Sequence, residues 1–269
     1  MALKTLMSEH GLRIKQPLTN GKLMLCGTQD NRLIKVGTTD LGRALALADF
    51  KGWERLSPIV KEQFNTGAMR LLCNNDQLVA IELQPLPGQP LRALIPPHKL
   101  ITPHLKERQD VIPLSELLTA EGLPDHHCET LLNRHGDVSV TVTPSHGDYI
   151  YWNVLKAGGS QFGLIDYEYS SPQRCIGFDD LHFRFAPWWL RGLRHSVPYP
   201  VLKRAALRAA KRLRQDLQLT MPALLYADLF FVHWGNIRRQ LLTTCPDDAI
   251  SITYYEQQLR HAERGLGRS

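Results

Sequence analysis

The chain has 269 residues, 43% of them hydrophobic and 22% charged, with 32 Lys and Arg against 26 Asp and Glu and a formal net charge of +6. That length allows one large domain or two lobes, and the composition is that of a soluble globular protein. No apolar run reaches bilayer-spanning length, and Met1 to Leu12 carries no signal-peptide core or cleavage site. The five cysteines (Cys26, Cys73, Cys128, Cys175, Cys245) lack Cys-x-x-Cys spacing, which argues against zinc, and their odd number argues against a disulfide framework. A reducing, cytoplasmic setting is expected.

Three short strands open the chain: Arg13 to Lys15, Lys22 to Cys26 and Arg32 to Val36, separated by turns at Leu18 to Gly21 and Gly27 to Asn31. Leu41, Leu45, Ala48 and Trp53 recur at helical spacing and predict a helix over Leu41 to Leu56, with an irregularity near Gly52. Leu78 to Leu83 is an apolar strand that ends in the Pro-rich turn Gln84-Pro85-Leu86-Pro87-Gly88. Arg92 to Leu105 has no clear period. Val111 to Glu121 reads as helical, with Ser115 or Pro113 near its start, as does Pro124 to Leu132, and Val138 to Val142 alternates like a strand.

The most informative stretch is Ser145 to Glu168, where Asp148, Asn153 and Asp166 interrupt apolar runs. Val154-Leu155 and Phe162 to Ile165 predict a hairpin with Gly158-Gly159 at its tip. Asn153 enters the first strand and Asp166 leaves the second, so antiparallel pairing brings an amide oxygen and a carboxylate together. Such a pair suits Mg²⁺, which keeps water and nucleotide phosphates as its other ligands. Asp148, in the loop entering the hairpin, can face the same ion while accepting a proton from a substrate hydroxyl. Positioning and charge neutralisation are most of what phosphoryl transfer needs. A second His-Gly-Asp, at His135 to Asp137, has Val142 where an Asn would be required, and it reads as a turn before a strand.

Beyond the hairpin, Phe183, Phe185, Trp188 and Trp189 form a dense aromatic group, read as core or as the wall of an acceptor pocket. Val201 to Leu219 is an amphipathic helix, with Leu202, Ala206, Ala209, Leu213 and Leu217 on one face and Lys203, Arg204, Arg208, Lys211, Arg212 and Arg214 on the other. Pro222 to Leu242 is a further apolar helix and Tyr254 to Arg264 a polar one.

His146-Gly147-Asp148 with Asn153, then Ile165-Asp166-Tyr167-Glu168, then Asp179-Asp180-Leu181-His182-Phe183, resembles the aminoglycoside phosphotransferase and choline kinase family. The resemblance implies an α+β, two-lobed protein-kinase-like fold, with a small antiparallel-sheet N-lobe over residues 1–86 and a mainly helical C-lobe over residues 87–269. It implies ATP and Mg²⁺ as cofactors, Asp148 as the catalytic base, and Asn153 and Asp166 as metal ligands. Lys35 matches the lysine that holds nucleotide phosphates. Its helical acidic partner is Glu54, with Glu62 and Asp49 as the other candidates. The turn at Thr19, Asn20 and Gly21 corresponds to the phosphate-binding turn, and Glu82 and Leu83 to the adenine-facing hinge. The role of Glu168 stays open.

Charge bears on the acceptor. Residues 180–269 hold fourteen Lys and Arg against seven Asp and Glu. Polycationic acceptors need acidic pockets, and choline needs acids or an aromatic cage. A basic lobe fits an anionic sugar or glycan precursor instead, or peripheral contact with an acidic surface. The expected function is therefore an ATP- and Mg²⁺-dependent transfer of the γ-phosphate to a hydroxyl of a small molecule. The alternatives are a pseudokinase scaffold that binds nucleotide without transfer, and a basic module for nucleic acid or membrane surfaces. No specific nucleic-acid partner is expected.

Overall fold

The register of the first sheet places Lys22 and Lys35 on one of its faces, opposite an apolar core. The computed structural model describes residues 2–18, 21–91, 109–158, 161–195 and 199–244. The chain divides into two compact units. One comprises Met1–Leu91, His146–Asp148 and Trp152–Ser170, the other Arg92–Ser145, Tyr149–Tyr151 and Ser171–Ser269.

The first unit begins with helix α1 (Leu3–Glu9), followed by strands β1 (Leu12–Pro17), β2 (Lys22–Gly27) and β3 (Leu33–Gly37). Helix α2 (Asp40–Val60) comes next, then β4 (Phe64–Asn65), β5 (Met69–Asn74), β6 (Val79–Leu83) and β7 (Gln89–Pro90). Strands β1, β2, β3, β6 and β5 form one antiparallel sheet in that order. One of its faces is a core of Leu12, Leu25, Ile34, Val36, Leu78 and Ala80, closed by Leu6 of α1. On the other face Val79 and Ile81 meet Ala46 of α2. The Thr39 hydroxyl caps α2 by accepting from the Gly42 amide at 3.0 Å.

The predicted hairpin is present. Strand β10 (Val154–Lys156) pairs antiparallel with β11 (Phe162–Leu164), Val154 opposite Leu164, within a small sheet ordered β4-β11-β10-β7. Gly52 continues α2 rather than interrupting it. A Cβ there would lie 2.4 Å from the Tyr167 carbonyl oxygen, so the missing side chain lets α2 lie against the segment that follows the hairpin.

The second unit holds β8 (Asp110–Pro113), α3 (Leu114–Ala120), α4 (Asp125–His135), β9 (Ser139–Ser145), β12 (Ser171–Cys175), α5 (Phe178–His195), α6 (Tyr199–Leu217) and α7 (Ala223–Thr244). Residues 110–113 correct the helical expectation for Val111 to Glu121: they pair with β9, and Pro113 ends the strand so that the helix starts only at Leu114. The second His-Gly-Asp is structural. Gly136 ends α4 at φ +71°, and Asp137 caps the start of α3 by accepting from the Ser115 amide and hydroxyl, both at 2.8 Å. On α6 the buried stripe is Leu202, Ala206, Ala210, Leu213 and Leu217, with Ala210 where Ala209 was expected. Phe183 and Phe185 are buried, whereas Trp188 is exposed. The segment Arg92 to Leu105, the side chain of Trp189 and the helix expected over Tyr254 to Arg264 lie outside the described residues.

A buried polar network ties the second unit together. Glu121 stands 3.0 Å from His233 of α7 and 3.7 Å from Arg174 of β12, and its backbone carbonyl accepts from Asn236. Arg174 also donates to the Ser145 hydroxyl, which donates to Asp179. Burial opposes the charge on Glu121, but His233 and Arg174 outweigh it and hold its pKa down at about 2, from 4.5. A depressed carboxylate pKa contributes stability above the unfolded value and loses it as pH falls toward the folded one. Glu121→Gln should therefore be less stable than the natural protein near neutral pH, by on the order of 3 kcal/mol. The gap should close between pH 4.5 and about 2, as read from urea midpoints across that range.

Candidate active site

Lys35 is the centre of the site. It lies on the face of β3 opposite the apolar core and is 6% exposed. Its ammonium donates to Asp49 of α2 at 2.5 Å and to Asp166 at 2.7 Å. Burial opposes its charge, but Asp166, Asp49 and Glu168 prevail and raise its pKa well above the usual value.

Asp49 is therefore the acidic partner, and the expectation of Glu54 is corrected. Glu54 is exposed on α2, whereas Asp49 is fully buried. Asp49 also accepts from the Tyr167 amide at 2.6 Å, so one carboxylate joins strand, helix and the segment after the hairpin. Because the helix comes close at Gly52, the short Asp side chain spans the gap.

Asp166 leaves the hairpin at φ +69°, a left-handed conformation that costs a non-glycine residue about 1 kcal/mol or more. Strain of this kind concentrates at functional sites. Burial opposes the Asp166 charge, but Lys35 and Lys22 hold its pKa down at about 2. Asn153 is joined to this strand by a bond from the Ile165 amide to its own carbonyl, 3.1 Å. The Asn153 side-chain amide donates to the Asp148 carboxylate and to the Asp148 carbonyl, each at 3.0 Å. His146 is fully buried and stands 3.0 Å from the Ile165 carbonyl, fastening the loop that carries Asp148 to the hairpin.

With its nitrogen turned to Asp148, Asn153 has its oxygen left for a cation, and Asp166 supplies a carboxylate held ionised. Among the described residues no group of three or more His, Cys, Asp or Glu is placed to hold a metal. The pair fits a hard cation that takes its remaining ligands from water and phosphate, the habit of Mg²⁺, and does not fit a zinc cage.

Beside these groups lies a cavity of about 700 Å³, wholly within the first unit, lined by Lys22, Lys35, Asp49 and Asp166 at one side and by Met24, Leu33, Met69, Leu83, Leu155 and Ile165. Gln84, Pro85 and Leu86 also line it, as do Lys15, Gln16 and Pro17 of β1 and Leu18 after it. Leu83 lines the cavity. Glu82 does not; it pairs with Arg70 at 2.6 Å, and its backbone lies in the middle of the sheet between β3 and β5. The rim instead begins one residue beyond Leu83. The Gln84 amide donates to the Ala68 carbonyl at 2.8 Å, and Pro85 and Pro87 have no N–H. Between those prolines Leu86 carries the sole N–H. Thr19 and Asn20 lie outside the described residues. Gly21 has φ +68°, and its carbonyl accepts from the Thr38 amide at 3.2 Å.

Sequence reasoning missed Lys22, which is buried and bonded to Glu168. Burial and the Asp166 charge raise the pKa of Glu168 despite Lys22. The available signal was the strand period: Lys22 is on the same side of β2 as Met24, whose partner across the strands is Lys35.

No family model matches this chain, and no curated protein does. Solved structures do match in fold. An ethanolamine kinase from Plasmodium vivax superposes with a TM-score of 0.53 at 15% identity, over 95% of this chain and 84% of its own. The aminoglycoside phosphotransferase APH(2'')-Ib, bound to ADP, gives 0.50 at 11% identity over 98% and 97%. The GDP and kanamycin complex of APH(2'')-IIia gives 0.50 at 11% identity over 97% and 98%. The chain thus has a protein-kinase-like α+β fold. That fold is shared with the ethanolamine kinase and with the two aminoglycoside phosphotransferases.

Asp49→Asn should lower stability by about 2 to 3 kcal/mol, because it leaves a buried ammonium with one carboxylate fewer. Glu54→Gln should leave stability unchanged. Chemical denaturation of the two variants checks the assignment, and equal losses would refute it.

Proposed function

We propose that the protein is a phosphotransferase that moves the γ-phosphate of ATP to a hydroxyl of a small molecule. The observation that carries this reading is Lys35 held between Asp49 and Asp166 at the end of the 700 Å³ cavity, with Asp148 and Asn153 bonded to each other in the loop that enters the same hairpin. The apolar walls (Met24, Leu33, Met69, Leu83, Leu155) suit a nucleobase, and the Leu86 N–H and the Gln84 carbonyl are the rim groups to meet its polar edge. Lys35 then lies where the phosphates reach. The ADP and GDP bound in the matched structures support a nucleotide in this cavity.

Asp148 serves as the base. The acceptor hydroxyl oxygen attacks the γ-phosphorus, its proton passes to the Asp148 carboxylate, and the bond from the γ-phosphorus to the bridging oxygen breaks to release ADP. Asn153 fixes that carboxylate by donating to one of its oxygens. Asn153 and Asp166 would hold Mg²⁺, which when bound neutralises phosphate charge. Lys35 orients the phosphates, and Asp49 holds Lys35 in place.

Against a pseudokinase, helix α2 supplies Asp49 as the acid that holds Lys35. For the acceptor, the seven-charge basic surplus in residues 180–269 favours a sugar or glycan precursor with anionic character over a cationic amine. No helix among the described residues is long and apolar enough to cross a membrane.

The test combines binding with turnover. In a thermal melt, ATP with Mg²⁺ should raise the midpoint of the natural protein, since a ligand at about a hundredfold over its Kd stabilises by about 2.7 kcal/mol. Asp166→Ala should abolish the magnesium-dependent shift. Asp148→Ala should keep the shift and lose turnover by about a hundredfold or more, a usual contribution of a positioned base. Full turnover in Asp148→Ala would remove that residue from the chemistry, and no shift with any nucleotide would end the phosphotransferase reading.

A further inference from the structure

A lysine with its charge buried on the inner face of a strand is rare unless something there requires it. Lys22 is such a residue: it is 3% exposed and bonded to Glu168. Because Lys22 pairs with Gly37 and Met24 with Lys35, Lys22 and Lys35 lie diagonally on one face of two paired strands. The opposite face of those strands, with Leu25, Ile34 and Val36, is apolar core. Both lysines line the same cavity.

The two cations differ in how far they are neutralised. Lys35 is shared between two carboxylates, Asp49 and Asp166, so that trio carries a formal excess of one negative charge. Lys22 has one carboxylate, Glu168, as its ion-pair partner among the described residues. A phosphate entering the cavity therefore needs positive charge beyond what Lys35 offers. Of the three lysines that line the cavity, Lys15 is exposed and Lys22 is, with Lys35, one of the two that are buried; the Lys22 carbonyl accepts from the Leu18 amide at 2.9 Å.

We propose that Lys22 is a second phosphate-binding cation, positioned by Glu168 as Lys35 is positioned by Asp49. The proposal rests on the phosphotransferase reading above. A buried pair kept only for stability is replaceable by apolar groups at little cost, whereas breaking it from one side is costly. That contrast separates a binding role from a structural one.

The experiment measures ATP and ADP affinity by calorimetry, with Mg²⁺, alongside melting points, for the natural protein and for Lys22→Met, Lys22→Arg and the double variant Lys22→Met with Glu168→Gln. Lys22→Met should weaken ATP binding at least tenfold and ADP binding less. Lys22→Arg should recover most of the ATP affinity. The double variant should recover the melting point without the ATP affinity. ATP affinity within twofold of natural in Lys22→Met, or joint recovery of melting point and affinity in the double variant, would overturn the role of Lys22 while leaving the phosphotransferase reading intact. A natural protein that binds no nucleotide would overturn both.

Discussion

Lys35 with its two carboxylates is the contact on which the first unit depends. A buried ammonium is costly unless it is fully compensated, and this contact joins three separated parts of the chain: strand β3, which carries Lys35, and its two partners on helix α2 and on the segment leaving the β10–β11 hairpin. Asp49 draws α2 toward that segment through both its oxygens, one on Lys35 and one on the Tyr167 amide. Gly52 makes the close approach sterically possible. The Asp166 carboxylate is held on Lys35 while its backbone is left-handed, at φ +69°. Lys22 and Glu168 add a second ion pair within the same first unit, so the polar end of the cavity is built from paired charges while its other walls are apolar.

The second unit follows a different plan. Its helices bury long apolar stripes, and its polar interior is concentrated in the chain Glu121, His233, Arg174, Ser145 and Asp179. Asp228 adds another tie by accepting from Arg134 at 2.8 Å and standing 2.9 Å from His135. These contacts fasten β9, β12, α4, α5 and α7 without using the exposed cations of α6. Arg204, Arg208, Lys211, Arg212 and Arg214 all face solvent. The basic surplus of the chain is thus carried in part by a face that the packing of the unit does not need.

Legibility in the sequence followed the range of the interactions. Strands β1, β2, β3 and β6 and helices α2, α6 and α7 were readable because their periodicity is local. Strand β5 was not, since Met69 to Asn74 has a mixed exposure pattern and owes its strand to the partner β6. The short β12 is similar: Ser171–Cys175 contains a proline and is a strand because β9 lies beside it. The stretch 111–113 was misread as helix for the same reason. Among the site residues, Asp148, Asn153 and Asp166 stood out because polar groups interrupt apolar runs at a spacing a hairpin can bring together.

Pairing partners were another matter. The hairpin and the place of Lys35 in β3 between Ile34 and Val36 follow from residue order and strand period, and so the sequence alone marked Lys35, Asp148, Asn153 and Asp166 as candidates. Which acid meets Lys35 depended on which face of α2 turns inward, with Asp49 fully buried and Glu54 exposed, and on the close approach of α2 that Gly52 allows. The place of Lys22 likewise depended on strand register and on Glu168, 146 residues away. Only the tertiary structure decided these, because ion pairing depends on separation in space, and separation in sequence carries no trace of it.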